Sequence, residues 1–362
     1  MKRALAVSLV AAAALVGGFV AYVAWKAHDA PPRLGLPAPL GSIVAADPAL
    51  GFALKPGLAV HHPTNAGRFW IFTNGDGLRV PRADASRLKA AAIVTLGDSQ
   101  SFGYGIEDAQ TYTSFLGRRF GAPTANLSVP GYNAVSALLA LDRFRHLGPR
   151  VVVYGLYYGL FERNLNRCYP GFSILCISVP HLAGDGAGGL RVVPPDDNGA
   201  ALYATGGYLR YASSPAEHDF AGDFRWTLWK TLGDLGRAVG VAATYRKEFP
   251  ERDIARSMRF VLSLARRKAG EMGASLVLLY IPNYFVEPIA AAPEFLAGIA
   301  RDLGLPLLDA APALTAIKRA NPRDPKVLEV AGDGHLTAAA HAAIGGLVAD
   351  HLAANGLLDR RP

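Results

Sequence analysis

The sequence predicts an α/β protein of three layers, with helices on both faces of a five-stranded parallel sheet, and three observations carry that expectation. Apolar runs alternate with helical patterns from Ala91 to Leu147, and alternating strands and helices mark a parallel sheet with covering helices. The run from Arg150 to Tyr157 (RVVVYGLY) is apolar and rich in β-branched valine, as suits a strand buried on both faces. After a long interruption the alternation resumes from Arg252 to Ala354.

Taken in order, the first strand is expected at Ala91 to Leu96, a helix near Thr111 to Phe120, a strand near Thr124 to Leu127 and a helix from Ala134 to Leu147. Arg150 to Tyr157 supplies the third strand. From about residue 168 to 248 the chain carries Gly and Pro clusters and scattered aromatics without regular strand spacing. A connection this long in a compact domain is expected to serve as a lid or substrate wall. A helix from Arg252 to Met272, a strand from Ser275 to Ile281, a helix around Pro293 to Leu303, a short strand Pro306 to Asp309 and a last helix from Thr337 to Ala354 complete the pattern. No internal repeat is present. The domain is expected to span residues 91–358.

Two segments precede it. Ala4 to Trp25 contains no charged residue and is bounded by Lys2, Arg3 and Lys26. At about 1.5 Å per residue such a stretch matches a bilayer core of about 30 Å. Residues 1–28 are therefore expected to form an uncleaved signal anchor, with cleavage around Ala27 to Ala30 as the alternative. Residues 29–90 read as a Pro- and Gly-rich tether followed by a small preface. In it, apolar patches such as Phe69-Trp70-Ile71-Phe72 alternate with turn signals such as Asn74-Gly75-Asp76-Gly77. Either N-terminal reading puts the rest of the chain outside the cytoplasmic membrane.

Composition excludes several classes. A chain of 362 residues with 51% hydrophobic and 18% charged residues is neither a disordered tail nor a miniprotein. Its formal charge of +8 is spread along the chain rather than gathered into one basic run, so nucleic acid is not an expected partner. Two cysteines, Cys168 and Cys176, rule out a Cys-rich zinc framework and leave one disulfide or two buried thiols. No His-Glu-x-x-His pair, P-loop or dinucleotide fingerprint occurs, and no metal or cofactor is expected.

The chemistry is expected at Gly97-Asp98-Ser99, where the first strand meets a helix. In open parallel sheets ligands bind at that edge. Asp98 and Ser99 also suit simple helix capping. A serine becomes a useful nucleophile only when a base takes its proton. His335, in Gly332-Asp333-Gly334-His335-Leu336-Thr337, lies just before the last helix and so emerges at the same edge. Asp333 is placed to hold the imidazole. His341 and His351 are expected to be packing or surface residues, and His61 and His62 surface residues. The backbone amides of Ser99 and of Gly131, in the turn Asn126-Leu127-Ser128-Val129-Pro130-Gly131, are candidate donors to a tetrahedral oxyanion.

The ordered set Gly97-Asp98-Ser99, Asn126 with Gly131, the strand into Gly155, and Asp333-Gly334-His335 resembles the SGNH (GDSL) hydrolase superfamily of esterases, lipases and acyltransferases. The lead-in Asp47-Pro48-Ala49-Leu50-Gly51-Phe52 and Thr73 to Arg79 is similar to that of exported bacterial members. The resemblance covers about residues 45–160 and 270–355. It implies a flavodoxin-like three-layer fold with Ser99 as nucleophile, His335 as base, Asp333 as its acid, and the amides of Ser99 and Gly131 in the oxyanion hole. Two departures stand out. The family's usual acid lies three residues before the histidine, where this chain has Gly332. Its third block offers an Asn donor that Tyr154 to Leu160 lacks, leaving Asn164 or a tyrosine as substitutes. Loss of such a donor costs roughly 3–4 kcal/mol of transition-state stabilisation. The expected activity is hydrolysis of a glycan or lipid acyl ester. Acyl transfer to a cell-envelope glycan and glycan binding without turnover are the alternatives. Oligomeric state is not read from the sequence.

Overall fold

The structure is a computed structural model that describes residues 16–22, 43–64, 67–82, 86–169, 177–196, 249–285, 288–324, 326–331 and 334–358. Two hairpin strands open the body, β1 (Val44–Asp47) and β2 (Gly51–Leu54). They are followed by β3 (Ala59–Thr64), β4 (Gly67–Thr73) and β5 (Arg79–Val80). Next come β6 (Ile93–Leu96), a one-turn helix α1 (Ser99–Phe102), α2 (Tyr112–Phe120), β7 (Thr124–Asn126), α3 (Ala134–Arg143) and β8 (Val151–Tyr157). Four short strands follow: β9 (Cys168–Tyr169), β10 (Ile177–Ser178), β11 (His181–Gly184) and β12 (Leu190–Val193). The last part contains α4 (Glu251–Glu271), β13 (Ser275–Ile281), α5 (Glu294–Asp302), β14 (Leu307–Asp309), α6 (Ala311–Ala320) and α7 (Ala338–Ala354).

The central sheet runs β14-β13-β8-β6-β7-β5-β4-β3. Its first five strands are mutually parallel, as expected. The sheet is nevertheless eight-stranded and mixed, because the preface joins it edge to edge: β5 pairs antiparallel with β7 through Arg79 and Asn126, and β4 and β3 continue outward. Two strong turn residues, Asn74 and Gly77, reverse the chain there. The Asn74 side chain accepts the N–H groups of Asp76 and Leu78, an Asx turn that fixes the antiparallel return. The long interruption also holds two antiparallel pairs, β9 with β10 and β11 with β12. Helix α6 was not expected either. Pro312 in its first turn is compatible with a helix start.

Strand alternation sorts the core into two layers. Val152, Tyr154, Leu156, Leu276 and Leu278 face one side, under Leu138 of α3, Val261 of α4 and Leu296 of α5. Val151, Val153, Val277, Leu279 and Ile281 face the other, under Leu116 of α2, Leu314 of α6 and Ile344 of α7. Burial on both faces is why these strands read as unbroken apolar runs. Helix starts are fixed by side-chain caps at Thr111, Asn133 and Thr337.

The chain moves outward from β6 to β7 and then returns to the other side of β6 as β8. That reversal creates the crevice in which doubly wound sheets bind ligands, at the carboxyl ends of β6 and β8. No helix among the described residues is long and apolar enough to cross a membrane. Residues 16–22 are helical, and the rest of the expected anchor lies outside the described residues. Cys168 is disulfide-bonded, and its expected partner Cys176 lies outside the described residues.

Candidate active site

Two glycines, one just past β6 and one on the neighbouring β8, make room for the turn that carries Ser99. Gly97 has φ of +151°, and a Cβ there would stand 2.3 Å from the Ser101 hydroxyl; a Cβ on Gly155 would stand 2.0 Å from the same oxygen. A side chain at either position would displace Ser101 from its place against the sheet. Asp98 then caps α1 through its Oδ1, which accepts the N–H of Gln100 at 3.0 Å. Its Oδ2 meets Arg163 at 3.3 Å. Burial pushes the Asp98 carboxyl above its ordinary range, with Arg163 and the Gln100 N–H opposing it. So Asp98 does have the capping role its residue type suggested, and Ser99 occupies the first helical position, half-buried.

The loop bearing His335 is brought to this turn. Gln100 Nε2 donates to the carbonyl of Gly334 at 3.0 Å, and the N–H of Leu336 donates to Gln100 Oε1 at 3.2 Å. The His335 ring lies 4.7 Å from that of Tyr104, whose N–H donates to the Ser99 carbonyl at 3.1 Å. Asp98 and His335 are close enough to interact electrostatically. Asp333 lies outside the described residues.

Gly131 adopts φ of +92° in the turn after β7, a conformation that favours glycine. Neither its N–H nor that of Ser99 donates a hydrogen bond among the described residues. Asn126 holds the other end of α1, its Nδ2 lying 3.3 Å from the Ser101 carbonyl. Asn164, expected as a substitute oxyanion donor, is instead a buried structural side chain. Its Oδ1 accepts the N–H of Ala134 at 3.0 Å and its Nδ2 donates to Met258 Sδ at 3.2 Å. The pairing of Leu96 with Tyr154 sets Gly155 beside Gly97, and Tyr157, two residues further along β8, lies close enough to Asp98 to interact electrostatically. Burial raises its hydroxyl pKa and keeps it protonated.

Sequence reasoning missed the residues that support this turn. His62, expected at the surface, is fully buried with Nε2 2.7 Å from the Tyr104 hydroxyl. It stands next to exposed His61 on β3, and neighbours on a strand point to opposite faces. Two exposed aromatics flank the site: Tyr158, after β8, is 37% exposed, and Phe285, after β13, is 47% exposed. Among the described residues no cluster of His, Cys, Asp or Glu suits a metal ion.

No family model matches the sequence, and no curated protein matches it. Similar solved structures include TesA, with 14% identity over 72% of this chain and 97% of that one at a TM-score of 0.36. The psychrotrophic esterase EstA from Pseudoalteromonas sp., inhibited by monoethylphosphonate, has 14% identity over 72% of this chain and 96% of that one at 0.36. The YxiM protein of Bacillus subtilis has 12% identity over 74% of this chain and 58% of that one at 0.39.

Proposed function

We propose that the protein is a serine-dependent hydrolase of glycan or lipid acyl esters, acting outside the cytoplasmic membrane from an N-terminal anchor. The observation that carries this reading is the pair of bonds from Gln100, the neighbour of Ser99, to the backbone on both sides of His335. A nucleophile-bearing turn and a base-bearing loop are thereby joined at the carboxyl edge of the sheet, where substrates bind.

In this mechanism His335 takes the proton of Ser99 Oγ as the oxygen attacks the ester carbonyl. The undonated N–H groups of Ser99 and Gly131 receive the oxyanion. His335 then returns its proton to the departing alcohol, and a water activated by the same imidazole releases the acid and restores Ser99. Asp333 is assigned the orienting acid. Tyr158 and Phe285 offer apolar faces for an acyl chain or a sugar ring. Disulfide bonding of Cys168 supports the extracytoplasmic placement, since such bonds persist in oxidising compartments.

Treatment with a fluorophosphonate probe, followed by mass spectrometry, tests the reading. Ser99 is expected to carry the label, and Ser99→Ala or His335→Ala to lower ester turnover by about a thousandfold or more. Folded wild-type protein that takes no label would sink it.

A further inference from the structure

We infer that Gln100 and Tyr284 are positioning residues that set where the His335 imidazole stands, an inference that rests on the reading of Ser99 and His335 as nucleophile and base. His335 belongs to no helix or strand and follows Gly334, whose φ is +79°. Its place therefore depends on what grips the loop's backbone. Reaction rates fall about a hundredfold when reacting groups are misplaced by an ångström, so that grip has a catalytic consequence.

The grip has a backbone part, the Val330 N–H donating to the His335 carbonyl at 2.7 Å, and a side-chain part made by Gln100 and Tyr284. Gln100 Nε2 lies 3.0 Å from the Gly334 carbonyl and 3.0 Å from the Tyr284 hydroxyl, and it has one proton for each. Gln100 Oε1 accepts the Leu336 N–H at 3.2 Å. The Tyr284 hydroxyl gives its proton to the same Gly334 carbonyl at 2.7 Å. Only this orientation of the amide works, because the reverse would set an NH2 against the Leu336 N–H. Gln100 and Tyr284 are each 2% exposed, which shields their ends of these bonds from water. Tyr284 is itself held, its own carbonyl accepting Lys318 Nζ at 2.7 Å. On the other side, the Gln100 N–H binds the Asp98 carboxylate that caps Ser99's turn. One residue thus ties the position of the base to that of the nucleophile.

The test uses the full chain with p-nitrophenyl acetate turnover, the fluorophosphonate labelling rate at Ser99, and the pH dependence of kcat/KM. Gln100→Leu is expected to lower kcat about a hundredfold while KM stays within about twofold, and to displace the histidine limb of the pH profile. Tyr284→Phe removes one oxygen and is expected to lower kcat about tenfold. The double variant is expected to be less impaired than the product of the two, since both act through one loop. Where Gln100→Leu does not fold, Tyr284→Phe decides. Folded variants with wild-type kcat and an unmoved pH profile would overturn the inference while the labelling of Ser99 stands. A wild type that neither labels nor turns over would remove the underlying reading and the inference with it.

Discussion

His341 lies wholly inside the protein, its ring stacked on that of Tyr112 at 5.6 Å, and its Nδ1 accepts the Tyr112 N–H at 3.2 Å. A buried imidazole thus serves the first turn of α2 as a cap donated by α7. Only the neutral ring has a lone pair to offer, and burial, then the charges of Arg79 and His335, hold its pKa down to about 3. Its Nε2 proton finds no acceptor among the described residues, so protonation would add a second unmet donor. The unfolded chain takes up this proton below about pH 6.5 and the folded chain does not until about pH 3. The stability His341 provides is complete above pH 6.5 and is lost as pH falls, by at most about 1.4 kcal/mol per pH unit. Urea unfolding of wild type and His341→Gln between pH 7.5 and 4.5 should show the variant's slope reduced by one proton. Equal slopes would refute the assignment. From sequence alone His341 is expected as a packing or surface residue and His62 as a surface residue. A histidine's surroundings are written in distant residues, so its type alone does not reveal them.

At the scale of elements, one of the shortest strands carries a concentrated set of bonds. β5 consists of Arg79 and Val80, and the Arg79 guanidinium reaches under α1 to the carbonyls of Phe102 at 2.6 Å, Gly103 at 2.8 Å and Ile106 at 2.5 Å. It pairs with Asp108 at 3.6 Å and lies 4.4 Å over the Phe102 ring. Full burial lowers its pKa to about 10, still well above neutrality, so it stays charged. Arg79→Ala would leave those carbonyls and Asp108 without their cation and should cost about 3–5 kcal/mol, read from the urea midpoint at constant m-value. Arg79→Lys should recover only part of it, since a point charge cannot serve three carbonyls in a fan. A loss under about 1 kcal/mol would show that water replaces the guanidinium. The parallel strands were legible because burial on both faces forces unbroken apolar runs, and their helices because one face must be apolar. β5 was not, because two residues carry no periodicity, and β9 and β10, of two residues each, were hidden for the same reason. The turn chemistry of Asn74 to Gly77 announced a hairpin without saying which sheet it joins.

For the whole molecule, the site is the meeting of two stretches far apart in sequence. The junction at Ser99 was legible, because it follows β6 at the edge where doubly wound sheets bind ligands, whereas His335 lies in the loop between α6 and α7, the first of which had not been expected. Gln100, Tyr284 and Arg163 were not, because their roles depend on backbone groups that only the folded chain brings near. The same topology has a consequence for continuity of the chain. β8 and β13 lie side by side along seven residue pairs, from Val151 with Ser275 to Tyr157 with Ile281, and both are closed over by helices on either face. Everything between them in sequence leaves the sheet and returns to it. A chain cut once between residues 197 and 248, at an introduced protease site, should therefore stay together as two pieces in native gel filtration and keep reacting with the fluorophosphonate at Ser99. Pieces that part without denaturant would contradict this. The halves of the site are then joined by strand pairing rather than by the peptide bonds between them, and a protease that nicks this connection would leave a working molecule of two chains.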